Sequence, residues 1–179
     1  APRGASPAVV FVGFMGAGKS HVGSLVSRLL KLPFVDTDAL VVAEAGPIEA
    51  IFAEQGEEAF REIERRVVLD ALASLATRPA VVSLGGGAVT DGDVRAALRA
   101  APFVAWLDAP ADVLWGRVRR AARRGRGRPL ARDRASFIAL HEQRESLYRE
   151  VATAEVRNAG DLSAAEVAAL VVRHARGDV

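Results

Sequence analysis

The sequence predicts a three-layer α/β domain, a central parallel sheet of mostly five strands with helices on both faces. Short, continuous apolar runs rich in β-branched residues alternate along the chain with longer stretches of helical spacing. That alternation is what parallel strands require, because each must be joined to the next through a crossover that packs back on the sheet. The 179 residues, 50% hydrophobic and 26% charged, are enough for one substantial core and few for two. Residues 1–179 therefore read as one domain, with no internal repeat and no dividing linker. Residues 1–7, which include Pro2, Arg3, Gly4 and Pro7, read as disordered.

The first strand is Ala8–Val12, and Ala80–Leu84 and Phe103–Leu107 share its short, apolar character. Leu32–Val35 and Ala154–Val156 are shorter candidates. Between the first two lies a helix whose Val22, Leu25, Val26, Leu29 and Leu30 fall on one face. Gly46-Pro47 before Ile48, Ile51 and Phe52 predicts a proline-started helix that Gly56 stops. Ile63, Val67 and Leu72 continue a helical stripe, and Ser163 with Glu166 forms a capping box ahead of Val167, Leu170 and Val171. Residues 122–132 lack apolar periodicity and contain Gly125, Gly127 and Pro129, so they read as a mobile loop between two helices.

Several classes fall away on composition. No window approaches 18 uninterrupted apolar residues, the first residues carry no apolar signal core, and there is no cysteine for a disulfide or thiolate metal site. A soluble cytoplasmic protein with no membrane partner is expected. The basic residues are 22 arginines and only two lysines, Lys19 and Lys31. Nine arginines and the single acid Asp133 lie within Arg117–Arg134, so that window carries +8 and the rest of the chain −6. A cluster of arginines on an acidic body suits a local anion better than a nucleic-acid face, and the window has no aromatic residue for base stacking. No nucleic-acid partner is expected, and an RNA-binding module is the weaker reading.

Gly13-Phe14-Met15-Gly16-Ala17-Gly18-Lys19-Ser20 satisfies G-x-x-x-x-G-K-[ST] between a buried strand and an amphipathic helix. The glycines let successive backbone N–H groups, those of Gly16, Ala17 and Gly18 among them, curl around phosphate oxygens, and the helix N-terminus adds partial positive charge. Lys19 supplies a point charge to the β- and γ-phosphates, and the Ser20 hydroxyl is a ligand for Mg²⁺. Neither lysine is preceded by asparagine, so the N-K-x-D guanine signature is missing. A kinase of a small molecule or nucleotide remains.

Asp36 and Asp38 follow the second strand at the sheet edge where ligands gather. They can serve a metal and an acceptor hydroxyl, or form an Asx turn and helix cap. Arg61 and Glu64 sit three apart on a helix, where a surface ion pair is the plain alternative. Gly85-Gly86-Gly87 ends a strand and admits close approach of a ligand. Arg128-Pro129-Leu130 stands in the arginine-rich loop. Arg144 and Tyr148 are four apart on a later helix, where a solvated face is ordinary.

Taken in order, the loop Gly13–Ser20, Asp36-Thr37-Asp38, Ile51-Phe52 with Gly56-Glu57, Phe60-Arg61 with Glu64, Gly85–Gly87, Arg128-Pro129-Leu130, and Arg144 with Leu147-Tyr148 resemble the shikimate kinase family from about residue 8 to 152. The resemblance implies a P-loop kinase fold, with a substrate-binding region over 37–66 and a mobile arginine-rich lid over 121–134. It implies Mg²⁺-assisted, in-line transfer from ATP to the 3-hydroxyl of shikimate, by a monomer. Lys19, Asp38 and Arg128 would be the catalytic residues, with Ser20 and Asp36 at the metal. Asp38, Arg61, Gly85, Gly86, Gly87 and Arg144 would hold shikimate, the two arginines gripping its carboxylate through paired donors. Gly16, Ala17, Gly18, Lys19, Ser20, His21, Arg120, Arg128 and Arg157 would hold ATP.

Three positions depart from the family pattern. His21 stands where threonine is usual, Ala121 where an adenine-stacking arginine is expected with Arg120 beside it, and Arg157-Asn158 where an aspartate-threonine pair is usual. A kinase of another small polyol or hydroxy acid would keep the loop and the lid and reassign Arg61 and Arg144.

Overall fold

A computed structural model describes residues 7–124 and 133–178. Five parallel strands, β1 (Val9–Val12), β2 (Phe34–Asp36), β3 (Val81–Ser83), β4 (Val104–Asp108) and β5 (Ala154–Arg157), form one sheet in the order β2-β3-β1-β4-β5. The three apolar runs are its centre: Val10 pairs with Val82 on one side and Val104 on the other. These strands are buried on both faces, which is why their sequences do not alternate. Each fully buried valine or phenylalanine there contributes about 1.5–3 kcal/mol. The edge strands need less: β2 is half-buried throughout, and in β5 only Val156 is buried.

Among the described residues seven α-helices flank the sheet: α1 (Lys19–Leu30), α2 (Thr37–Ala45), α3 (Ile48–Ser74), α4 (Gly92–Arg99), α5 (Ala111–Arg123), α6 (Arg134–Val151) and α7 (Ala164–Arg176). Gly56 interrupts α3 with φ 86° and ψ 175°, so the chain bends where the stop is expected and then resumes as helix. The Ser163–Glu166 capping box is formed at α7. Besides the main core, Val41, Ile51, Phe60 and Val67 make a separate small cluster between α2 and α3. The region 37–66 is thus packed largely on itself beside the sheet.

From β1 the chain goes to one side for β2 and β3 and crosses to the other for β4 and β5. A crevice opens at such a reversal, above the carboxyl ends of the strands. Of the stretch expected to be disordered, residues 1–6 lie outside the described residues, and Pro7 is irregular chain two residues ahead of β1. Of the expected lid, residues 121–123 finish α5 and Asp133 caps α6 by accepting from the Ser136 N–H. Residues 125–132, with Arg128, lie outside the described residues.

Candidate active site

The loop after β1 bends through Gly13, Gly16 and Gly18, all at positive φ. Gly18 is the residue before α1 and brings no side chain to its N-terminus, so the first N–H groups of that helix are left for an anion. Lys19 folds back over the loop, its Nζ donating to the carbonyls of Gly13 (2.7 Å) and Phe14 (3.1 Å). Burial pulls its ammonium down to about 8, against the pull of Asp38 and Asp36, whose charges favour the protonated form.

Asp36 ends β2 and does two things. Its Oδ1 caps α2, accepting from the N–H groups of Asp38 (3.0 Å) and Ala39 (3.4 Å), while its Oδ2 accepts from Ser20 Oγ at 2.6 Å. The cap and the functional reading of this aspartate therefore coexist. Thr37 Oγ1 donates to the Ser83 carbonyl (3.2 Å) and accepts from the Gly85 N–H (3.3 Å), which pins the end of β3 to the start of α2.

Each residue of the glycine loop faces a different neighbour. A Cβ on Gly85 would stand 2.7 Å from both Asp38 Oδ1 and Glu64 Oε1; one on Gly86 would lie 3.4 Å from the Gly13 carbonyl oxygen and Met15 nitrogen; one on Gly87 would overlap the Arg61 guanidinium. The phosphate loop and the acid-lined pocket meet at this loop. Arg61 donates to Glu64 (2.7 Å) and Glu57 (3.3 Å) and lies 5.2 Å from the Phe60 ring centroid. Glu64 is 4% exposed, and burial raises its carboxyl above the usual range against the opposing pull of Arg61.

Arg144 and Tyr148 correct the expectation of a solvated face. They are 6% and 1% exposed, because α6 lies over the crevice. Nε and Nη1 of Arg144 are buried with no hydrogen-bond partner among the described residues. Its guanidinium lies 5.6 Å from the Phe14 ring centroid, and burial disfavours its charge. A buried cation with orphan donors is costly unless an anion meets it.

On the other side of the phosphate loop, a cleft of about 400 Å³ is lined by Met15, Gly16, Gly18, Lys19, Ser20, His21, Arg117, Val118 and Ala121. Arg117 Nη1 donates to the Gly16 carbonyl (3.2 Å), and Asn158 Nδ2 to the Ala17 carbonyl (2.7 Å). Arg120 and Arg157, the expected base-side arginines, are exposed and do not line this cleft. Arg117 and Asn158 reach the loop instead. Helical register could have favoured Arg117: Leu114 is fully buried beside Gly16, and the same face continues through Val118 and Ala121. Lys19, Ser20, Asp36, Asp38, Arg61, Gly85–Gly87 and Arg144 all converge on the crevice, close enough for Asp38 and Arg144 to act on the charges of both Lys19 and Glu64.

A phosphate-binding loop at the sheet reversal, joined through a glycine loop to a pocket holding two arginines and a carboxylate, defines a P-loop phosphotransferase for a small molecule. The family model described as shikimate kinase matches residues 15–176, and the chain belongs to that family. A shikimate kinase of Symbiobacterium thermophilum is 49% identical over 112 residues, 62% of this chain and 63% of its own length. One from Caulobacter vibrioides is 41% identical over 149 residues, 83% of this chain and 71% of the relative. Among solved structures, the shikimate kinase of Acinetobacter baumannii in complex with shikimate superposes with a TM-score of 0.85 at 29% identity, covering 96% of this chain and 94% of that one. A gluconokinase of Sinorhizobium meliloti, with a TM-score of 0.59 and 22% identity over 98% of this chain and 92% of its own, shares the fold.

Proposed function

We propose that the chain transfers the γ-phosphoryl group of ATP to the 3-hydroxyl of shikimate, giving ADP and shikimate 3-phosphate. The observation that carries this reading is the buried Arg144 guanidinium with two orphan nitrogens, 5.6 Å from the Phe14 ring of the phosphate loop and near enough to Arg61 to feel its charge. A planar carboxylate satisfies such donors in pairs. Asp38 stands at the other end, beside Gly85 and near Lys19, where an acceptor hydroxyl can donate to it. The substrate thus has a carboxylate to anchor at one end and a hydroxyl to present at the other.

In the reaction a bond forms between that hydroxyl oxygen and the γ-phosphorus as the bond to the β,γ-bridging oxygen breaks. Asp38 orients the hydroxyl and receives its proton. Lys19 leaves the Gly13 and Phe14 carbonyls for the phosphates, and the α1 N-terminus stabilises their charge. Ser20 and Asp36 supply two hard oxygen donors at the loop mouth. That sparse oxygen set suits Mg²⁺, which keeps several water and phosphate ligands of its own. Bound there, Mg²⁺ neutralises charge on the phosphates. Arg128, in the family's lid motif, is assigned to the transferring group, and Arg117, His21 and Asn158 to the nucleotide side, with Arg120 and Arg157 peripheral to it.

We also propose that the enzyme acts as a monomer. With no cysteine and small charged metabolites as substrates, the cytoplasm is the inferred location. The test is ADP release with Mg²⁺ and ATP, with and without shikimate and against a panel of other small hydroxy acids. Release that depends on shikimate is expected; release driven equally by other acids would transfer the reading to a broader kinase.

A further inference from the structure

We propose that Tyr148 is a positioning residue for the acidic substrate, its hydroxyl tying the Gly86 carbonyl of the glycine loop to the helix that carries Arg144. The proposal rests on the shikimate reading above and extends it to a side chain that touches no reacting atom.

Tyr148 is held by packing. Its ring lies 6.0 Å from that of Trp106 at an interplanar angle of 30°, and it is buried in the main core. Its hydroxyl donates to the Gly86 carbonyl at 2.6 Å. A buried phenol needs some partner, and many backbone carbonyls would serve. This partner is the middle peptide of the loop on which Asp38, Glu64 and Arg61 are all seated. In a trans peptide the carbonyl and the following N–H point in opposite directions. Holding the Gly86 carbonyl toward α6 therefore aims the Gly87 N–H away from α6 and fixes the plane against which Arg61 lies.

Arg144 stands one turn earlier on α6, also buried, where its charge and the phenol act on each other. Tyr148 thus holds the loop through its hydroxyl while the same helix carries Arg144, and the two walls of the carboxylate pocket are set relative to each other through this one side chain. The phosphate loop has separate supports in the Arg117 and Asn158 hydrogen bonds. Loss of the phenol should therefore fall on the acid substrate and spare ATP.

The test is Tyr148→Phe, which keeps the ring, compared with wild type and with Val151→Ala, a core truncation on the same helix. The shikimate KM of Tyr148→Phe should rise about tenfold, while the ATP KM and kcat stay within about threefold. Val151→Ala should lose stability without moving the shikimate KM. A rise below threefold, an equal rise in the ATP KM, or the same rise in Val151→Ala would overturn the proposal. Wild-type protein that does not turn over shikimate would overturn the underlying reading and the proposal with it, whereas normal wild-type turnover isolates the claim about Tyr148. Since Tyr148 is the only tyrosine in the chain, biosynthetic 3-fluorotyrosine labels this one site in the native fold, which decides the matter if Tyr148→Phe does not fold. Its single ¹⁹F resonance should move on saturation with shikimate; an unmoved resonance would count against the coupling.

Discussion

Ser20 Oγ donates a 2.6 Å hydrogen bond to Asp36 Oδ2, tying the first turn of the phosphate-loop helix to the last residue of β2. The bond brings the two proposed metal-side oxygens together while Asp36 Oδ1 is spent on the α2 cap. Asparagine caps helices as well as aspartate does, so Asp36→Asn removes charge without removing the cap. The Mg²⁺ concentration giving half-maximal rate should rise about five- to tenfold, with unchanged helical circular dichroism. An unchanged Mg²⁺ requirement would remove Asp36 from the metal side.

Arg144 makes stability and binding oppose each other. Its two orphan nitrogens leave a buried charge partly unsatisfied, and an apolar side chain of similar length relieves that cost. Arg144→Met should raise the Tm of the ligand-free protein by about 2–4 °C. The further rise that shikimate gives the wild type should be abolished. Thermal melts with and without shikimate measure both effects, and a lowered ligand-free Tm would show that Arg144 is structural.

Tyr148 also sets an alkaline limit. Burial holds its phenol well above the ordinary value of 10.0, outweighing the opposite pull of Arg144. Below about pH 10 the folded and unfolded chains are both protonated here; above it the unfolded chain releases the proton first, so stability falls as pH rises. With one tyrosine in the sequence, tyrosinate absorbance near 295 nm reports this group alone. It should be absent from the native protein just above pH 10 and appear together with alkaline unfolding. A smooth titration centred near 10 with the fold intact would show a solvated phenol.

Asn158 braces the nucleotide side through its 2.7 Å bond to the Ala17 carbonyl, and its own N–H donates to Asp108 at the end of β4, also at 2.7 Å. Asn158→Ala removes the side-chain brace and leaves the backbone bond. The ATP KM should rise about fivefold with the shikimate KM unchanged, the converse of the Tyr148→Phe pattern. Equal changes in both constants would mean that the brace serves the fold as a whole.

The parts of this structure that were legible in the sequence are those set by local chemistry. β1 is apolar throughout, and β3 and β4 up to their last residues Ser83 and Asp108, because both of their faces are buried, and the phosphate loop needs its glycines at fixed spacing. β2 and β5 gave weaker signals because an edge strand buries little. Arg144 and Tyr148 share a helical face, but spacing alone does not reveal that α6 turns that face into the crevice. Arg117 was hidden among its neighbours: in a run of arginines, composition marks all of them alike, and only the register from buried Leu114 separates Arg117 from the exposed Arg120. Asn158 reaches Ala17 across 141 residues of chain, a contact that no local pattern encodes.

The central claim is transfer of one phosphoryl group to one hydroxyl of one acid. Incubation with ATP, Mg²⁺ and shikimate, followed by ³¹P–¹H correlation NMR of the products, tests it most directly. The prediction is a single phosphorylated product with phosphate on the 3-hydroxyl, formed in step with ADP. ADP accumulating without phosphorylated shikimate, or phosphate on a different hydroxyl, would contradict it.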